Sequence, residues 1–313
     1  MAGSRAMSPL YTALERYMGM RRTLGFKLSS QEQILRRFVA HMDKHDNAII
    51  TSKLAIEWVS KDASPASWPG RLSAVRGFAR YVAITDPRTQ VPPTSVFPEQ
   101  RRPAPYLYSE AEVQQLLAAM LALPPAGNLR RWTYYCIVGL LAVTGMRIGE
   151  ALRLDRGDVD LDQGILVIRD SKFGKSRVVP IHSSTLTVLK DYAARRDSQP
   201  SRSASRPFFT GERGGHVHYG NIVADFRAVS LEIGLRPHGA RTGPRLHDLR
   251  HGFAVASLLR WYRADKNVDQ LLPVLSTYLG HGRVRDTYWY LSACPELMGE
   301  AARRLEARWE TLP

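Results

Sequence analysis

Six prolines, at positions 87, 92, 93, 98, 103 and 105, fall within the single stretch DPRTQVPPTSVFPEQRRPAPY. A proline ring fixes φ and removes a backbone donor, so neither a helix interior nor a central strand passes through such a stretch, and an extended, stiff path is expected. The chain therefore divides in two. On the N-terminal side LYTALERYMGM, SQEQILRRFVAHM, TSKLAIEWVS and RLSAVRGFARYVA each repeat apolar residues at three-and-four spacing, which predicts a bundle of four or five helices. With 313 residues, two cores of ordinary size are available. The expected organisation is a helical domain over 1–86, a proline-rich linker over 87–106, and a second domain over 107–313.

The second domain opens with Ser109 and Glu112 spaced as a capping box ahead of SEAEVQQLLAAML, and a buried helix is expected from about Tyr134 to Val143. The one clear strand signal is GILVIRDSKFGKSRVVPI, two β-rich arms around a polar turn, which predicts a β-hairpin. After the polar loop at 197–207, helical patterns resume in HYGNIVADFRAVSLEIG, LHDLRHGFAVASLLRWY and VDQLLPVLSTYLGH. The last segment, PELMGEAARRLEARWE, is amphipathic. The expected fold class is mostly α, with an α+β second domain around a small β-sheet.

Charge narrows the partner. The chain carries 44 Lys and Arg against 29 Asp and Glu, a net +15, and the excess lies on both sides of Tyr106, with 16 basic and 8 acidic residues up to it and 28 and 21 after it. That distribution fits a polyanion gripped from two sides, with double-stranded DNA as the first candidate. Arg88, Arg101 and Arg102 are placed to follow a phosphate backbone. The two cysteines, Cys136 and Cys294, form neither a disulfide framework nor a CxxC metal pair. No uninterrupted apolar stretch approaches the roughly 18 residues of a spanning helix, so the protein is expected in the cytoplasm, with the nucleoid.

Four short strings place a hydrogen-bonding residue at a turn or helix start: TGMRIGE (Arg147), DSKFGKSR (Lys172), LHDLRHGF (His247 and Arg250) and LGHG (His281). A tyrosine pair, Tyr288 and Tyr290, follows. A phosphodiester attacked by an oxygen nucleophile gains negative charge on its non-bridging oxygens, and two guanidiniums hold such oxygens through paired planar N–H bonds at any working pH. Histidines add donors to the same oxygens, a lysine can protonate the leaving 5′-oxygen, and a tyrosine among these cations can attack phosphorus. His247 and His251, at i and i+4, also have the spacing of helical zinc ligands, but Asp248 stands where such a motif has glutamate and Arg250 opposes a cation. GKS at 174–176 lacks the first glycine and the helix of a phosphate-binding loop.

The ordered strings TGMRIGE, SKFGK, RLHDLRHGFA and LGH, with a tyrosine nine positions after that last histidine, resemble the tyrosine recombinase (phage-integrase-type) family of site-specific DNA recombinases. The resemblance covers most of the chain. It implies a core-binding, SAM-like helical bundle and an α+β catalytic domain closing on DNA as a C-shaped clamp. It further implies that Arg147 and Arg250 bind the scissile phosphate and that Lys172, favoured over Lys175, is the general acid. His247 and His281 then support the phosphate and the proton transfers, and Tyr290 is the nucleophile, through a 3′-phosphotyrosyl intermediate that needs no ATP, metal or other cofactor. Partners implied are DNA recombination sites and other protomers in a tetrameric synapse, with a tail from about 295 to 313 exchanged between neighbours. The alternatives are a type IB topoisomerase-like relaxing enzyme, a DNA-binding accessory subunit, and a metal-dependent hydrolase using His247 and His251.

Geometry and resemblance choose different tyrosines. On one continuous helix Tyr288, seven residues on, shares the face of His281, and Tyr290 points away. A helix that ends at Gly282 and restarts near Arg285 removes that constraint, and the family spacing then selects Tyr290. Between Leu259 and Thr277 the chain departs from the family pattern, being longer and lacking a glycine turn.

Overall fold

In the computed structural model the described residues are 8–26, 28–61, 64–98, 104–169, 174, 176–199, 202, 204–240, 243–292 and 294–310. The chain forms two compact units, Met1–Arg102 and Pro103–Pro313.

The first unit packs four helices: α1 (Pro9–Thr23), α2 (Ser29–Lys44), α3 (Ser52–Ser60) and α4 (Trp68–Val82). Local chemistry starts them, since the Ser8 hydroxyl accepts the Tyr11 N–H at 3.1 Å, the Thr51 hydroxyl accepts the Leu54 N–H at 3.2 Å, and Pro9 occupies the first turn. The three-and-four stripes of the sequence meet in one core around Leu14, Met18, Phe38, Met42, Val75 and Phe78, all buried. The first part of the proline-rich stretch, residues 87–98, runs along this bundle without helix or strand. The Gln90 N–H donates to the Ile50 carbonyl at 2.8 Å, its side-chain oxygen accepts the Ser52 N–H at 3.0 Å, and Phe97 packs on Trp68. The prolines exclude helix, but apolar Val96 and Phe97 still find a surface to bury against. Arg88 is held by Asp86 at 2.9 Å, whereas Arg101 and Arg102 lie outside the described residues.

The second unit opens with α5 (Glu110–Ala122), where both hydrogen bonds of the Ser109–Glu112 capping box form. Next come α6 (Leu129–Thr144) and the one-turn α7 (Ile148–Ala151). α6 runs through the centre of the core, burying Ile137, Val138 and Leu141. The predicted hairpin is present as β2 (Ile165–Ile168) antiparallel to β3 (Arg177–Pro180), with Leu166 opposite Val179. A short β1 (Val159–Asp160) adds a third strand on the other edge of β2; two residues give no alternation to read in a sequence. Lys172 and Lys175, at the hairpin turn, lie outside the described residues. Helices α8 (Ser183–Asp197), α9 (Tyr219–Glu232), α10 (Leu246–Arg263), α11 (Val268–Leu279), α12 (Arg285–Ser292) and α13 (Pro295–Glu310) complete the unit.

The divergent segment resolves simply. α10 ends at Arg263, Asp265 takes a left-handed turn at φ 51°, and Asn267 caps α11 through the Gln270 N–H at 3.3 Å. Aspartate tolerates this backbone region better than most residues, so no glycine is required. α13 folds back on α10 of its own chain: Leu297 is buried, and Arg304 donates to the Tyr262 and Lys266 carbonyls at 3.0 and 2.9 Å. Along the flank of α13 beside its buried face, Met298, Leu305 and Trp309 are exposed. No helix among the described residues is long and apolar enough to cross a membrane.

Candidate active site

Two helix C-termini build the floor of the site. α6 ends on Gly145 at φ 61° and α11 on Gly280 at φ 66°, a left-handed closure that glycine adopts without steric cost. Neither position has room for a side chain: a Cβ at Gly145 would stand 2.5 Å from the Phe253 ring, and one at Gly280 would stand 2.9 Å from Nη1 of Arg177. The carbonyls left over at these ends carry the negative pole of each helix, and both arginines of the sequence motifs are anchored on them. Arg250 donates from Nη1 to the Gly145 carbonyl at 2.8 Å and from Nη2 to the Leu279 carbonyl at 2.7 Å. Arg147 donates from Nη2 to the Gly280 carbonyl at 3.0 Å.

Arg250 is only 2% exposed, and burial together with the nearby Arg147 guanidinium lowers its pKa to about 10, so it keeps its charge at neutral pH. Arg147 is the more open of the two, its side chain 24% exposed. Its counter-ion is Glu150, one turn on, which receives the Arg147 N–H at 2.9 Å and Nη1 at 2.8 Å. The same carboxylate is paired with Arg177 of β3. Burial raises the Glu150 pKa, but the hydrogen bonds from Arg177 and Arg147 outweigh it and hold the group at about 2. Removing one partner of such a buried pair leaves a charge uncompensated, at a cost of about 3–5 kcal/mol.

The chain breaks between α11 and α12, at Gly280 rather than Gly282, and α12 begins at Arg285 as the two-helix alternative required. His281 therefore lies on a turn instead of a helix face. Its Nδ1 is 2.7 Å from the hydroxyl of Thr287, and its ring stacks on Tyr290 with 5.9 Å between centroids. Burial, then Arg250 and Arg147, push its pKa down to about 4, so the imidazole is neutral at pH 7. Tyr290 is 2% exposed, while Tyr288 is 51% exposed. The Tyr290 hydroxyl lies beside the Arg250 guanidinium, and its ring also meets His251 at 5.3 Å. His247, exposed at the first turn of α10, sets its ring edge-on to His251 at 4.7 Å.

The fold thus gathers Arg147, Arg250, His281 and Tyr290 around one point, with His247 at the margin through His251. Among the described residues no group of three His, Cys, Asp or Glu side chains is disposed to hold a metal ion. Sequence reading assigned no role to Glu150, Arg177 or Thr287. Glu150 was visible three residues after Arg147, at the start of a helix, but nothing in the spacing links residue 177 to residue 150 or to the turn at 280. Chemically, the arrangement offers two guanidiniums, a neutral imidazole and a phenol to a single anion.

Known proteins resemble this chain in sequence and in fold. The model of the phage integrase family matches residues 107–296. The Sinorhizobium fredii chain y4rB, named for integrase/recombinase activity, is 49% identical over 311 residues, covering 97% of this chain and 99% of that one. Tyrosine recombinase XerD of Caulobacter vibrioides is 29% identical over 241 residues, covering 76% of this chain and 74% of its own. Among solved structures, the Tn1549 transposon integrase in complex with transposon right-end DNA has a TM-score of 0.65 at 16% identity, covering 94% of this chain and 98% of that one.

Proposed function

The chain belongs to the phage integrase family, and on that premise we propose how its residues divide the work of breaking and rejoining DNA. It is a tyrosine-type site-specific recombinase. Arg147 and Arg250 hold the non-bridging oxygens of the scissile phosphate. The Tyr290 hydroxyl attacks phosphorus and passes its proton to Nε2 of the neutral His281, the bond to the 5′-oxygen breaks, and a 3′-phosphotyrosyl bond conserves the phosphodiester without ATP or metal. Lys172 delivers the proton that the 5′-oxygen takes as it leaves. His281, neutral and oriented by Thr287, hydrogen-bonds through Nε2, and His247 adds a donor at the margin. Return attack by a 5′-hydroxyl of another strand reverses each step and exchanges the strands.

One observation carries this reading: Tyr290 is buried against His281 and Arg250, whereas Tyr288, two residues away, is exposed. The test is capture on nicked suicide duplexes, from which the freed 5′ fragment diffuses away and leaves the adduct trapped. Peptide mapping is expected to place the DNA on Tyr290. An adduct on Tyr288 or on no tyrosine overturns the reading.

Residues 1–86 act as the core-binding half on DNA, 87–106 as the connection and 107–313 as the catalytic half, the basic excess on both sides supporting a grip from two directions. Recombination proceeds in a tetramer on two duplexes, and the exposed apolar face of α13 supports its docking on a neighbouring protomer. The protein works in the cytoplasm, where its DNA is.

A further inference from the structure

Arg177 stands at the start of β3, at the end of the DSKFGKSR string and without a role assigned there, with its side chain 10% exposed. All three of its guanidinium nitrogens are engaged. Nη1 and Nη2 donate to the two oxygens of Glu150 at 3.1 and 2.7 Å, and Nε donates to the Tyr278 carbonyl at 2.7 Å. Glu150 is the carboxylate that holds Arg147. Tyr278 is two residues before Gly280, whose carbonyl takes the other end of Arg147, and three before His281. One side chain therefore braces both supports of Arg147 and ties them to the hairpin strand. Because a planar guanidinium donates along fixed directions, this three-point contact sets geometry as well as charge.

We propose that Arg177 is a positioning residue for strand cleavage, holding Glu150 and the 278–281 turn so that Arg147 and His281 address one phosphate. The inference rests on the reading of Arg147 as a phosphate ligand. In this scheme Arg177 acts through Glu150 and the 278–281 turn and not on DNA.

A purely structural role and a positioning role differ in their pH signature. Glu150 is faced by Arg147 from its own segment and by Arg177 from β3, with Arg250 of α10 and His281 of the turn close by. Burial favours its protonated form, and the two guanidiniums oppose that. Without Arg177 the carboxyl takes up a proton at higher pH, Arg147 loses its counter-charge, and cleavage acquires an acid limb above the ordinary carboxylate range of about 4.

The test uses the full chain. Nicked duplexes of randomised sequence are incubated with it, covalently captured ends are sequenced, and one recovered sequence serves as the suicide duplex for single-turnover cleavage. Arg177→Ala is expected to lower the maximal cleavage rate about 10²-fold, to leave half-saturation by DNA within about threefold, and to show the acid limb. Adding Glu150→Gln to that variant is expected to abolish the limb. Arg177→Lys keeps the charge but cannot span both acceptors, so it recovers part of the rate and keeps the wild-type pH profile; it also serves if the alanine variant does not fold. A wild-type rate in either single variant overturns the proposal while Arg147→Ala remains inactive. An active Arg147→Ala overturns the underlying reading instead.

Discussion

The imidazole of His281 and the phenol ring of Tyr290 lie nearly parallel, 25° between planes and 5.9 Å between centroids. They sit on different elements, a turn and a helix, and Thr287 joins them, since it bonds the imidazole from a position one turn before Tyr290 on the same helix. The tyrosine's direction is thus set by its neighbours on α12 and by the turn that precedes it. Residues two apart on a helix point about 200° from each other, so the same arrangement turns Tyr288 outward.

Tyr290→Phe is accordingly expected to fold and bind DNA as the wild type does and to form no covalent adduct, as read by denaturing electrophoresis on a suicide duplex. Tyr288→Phe is expected to form adduct.

Gly280→Ala should cost about 1–2 kcal/mol for the left-handed backbone alone, which lowers Tm by about 2–8 °C in a unit of this size. The added Cβ also presses on Arg177 and approaches Arg147, so cleavage is expected to fall further than the Tm change explains. A variant as stable and active as wild type contradicts the assigned geometry.

Acid lability follows from the signs of two shifts. The folded pKa of His281, about 4, lies below its ordinary 6.5, so from pH 6.5 down to 4 the unfolded chain binds a proton that the folded one does not, and stability falls. Glu150, lowered from 4.5 to about 2, contributes stability above pH 4.5 that is lost as pH falls toward 2. His281→Gln should flatten urea-unfolding midpoints between pH 6.5 and 4 and leave the steeper loss below pH 4.5. An unchanged slope in the upper window refutes the assignment.

With a net +15 and basic excess on both sides of the linker, DNA affinity should fall with log salt at about −0.9 per phosphate neutralised. A nearly flat salt titration would contradict the grip from two sides.

Lys172→Ala should slow cleavage, with recovery on DNA bearing a 5′-bridging sulfur, because a thiolate leaves without a proton. Recovery confined to Lys175→Ala would move the general acid to that residue.

What the sequence made legible was local. The capping box at Ser109, the hairpin arms and the helix stripes are read from neighbours within four residues. The motif strings also marked Arg147, Arg250, His281 and Tyr290, which the fold brings together. Contacts between distant strings were not legible: Arg177 reaches Glu150 across 27 positions and Tyr278 across 101, and no periodicity records either. The packing of Phe97 on Trp68 was hidden for a related reason, because proline content predicts what a segment cannot form and is silent on where it lies. The helix break was foreseen but placed two residues late, at Gly282, since two glycines flank His281 and only the closure of α11 distinguishes them.

Arg250 draws its two carbonyls from different cores: Gly145 follows the helix at the centre of the first, and Leu279 belongs to the smaller cluster that also holds Tyr290. The guanidinium is satisfied only when both have consolidated. A chain in which the C-terminal helices have come loose therefore loses the placement of Tyr290, the anchor of Arg147 at Gly280 and one of the two seats of Arg250 together. The two clusters are thus interlocked through one guanidinium, and on the proposed reading loosening either of them disarms the site.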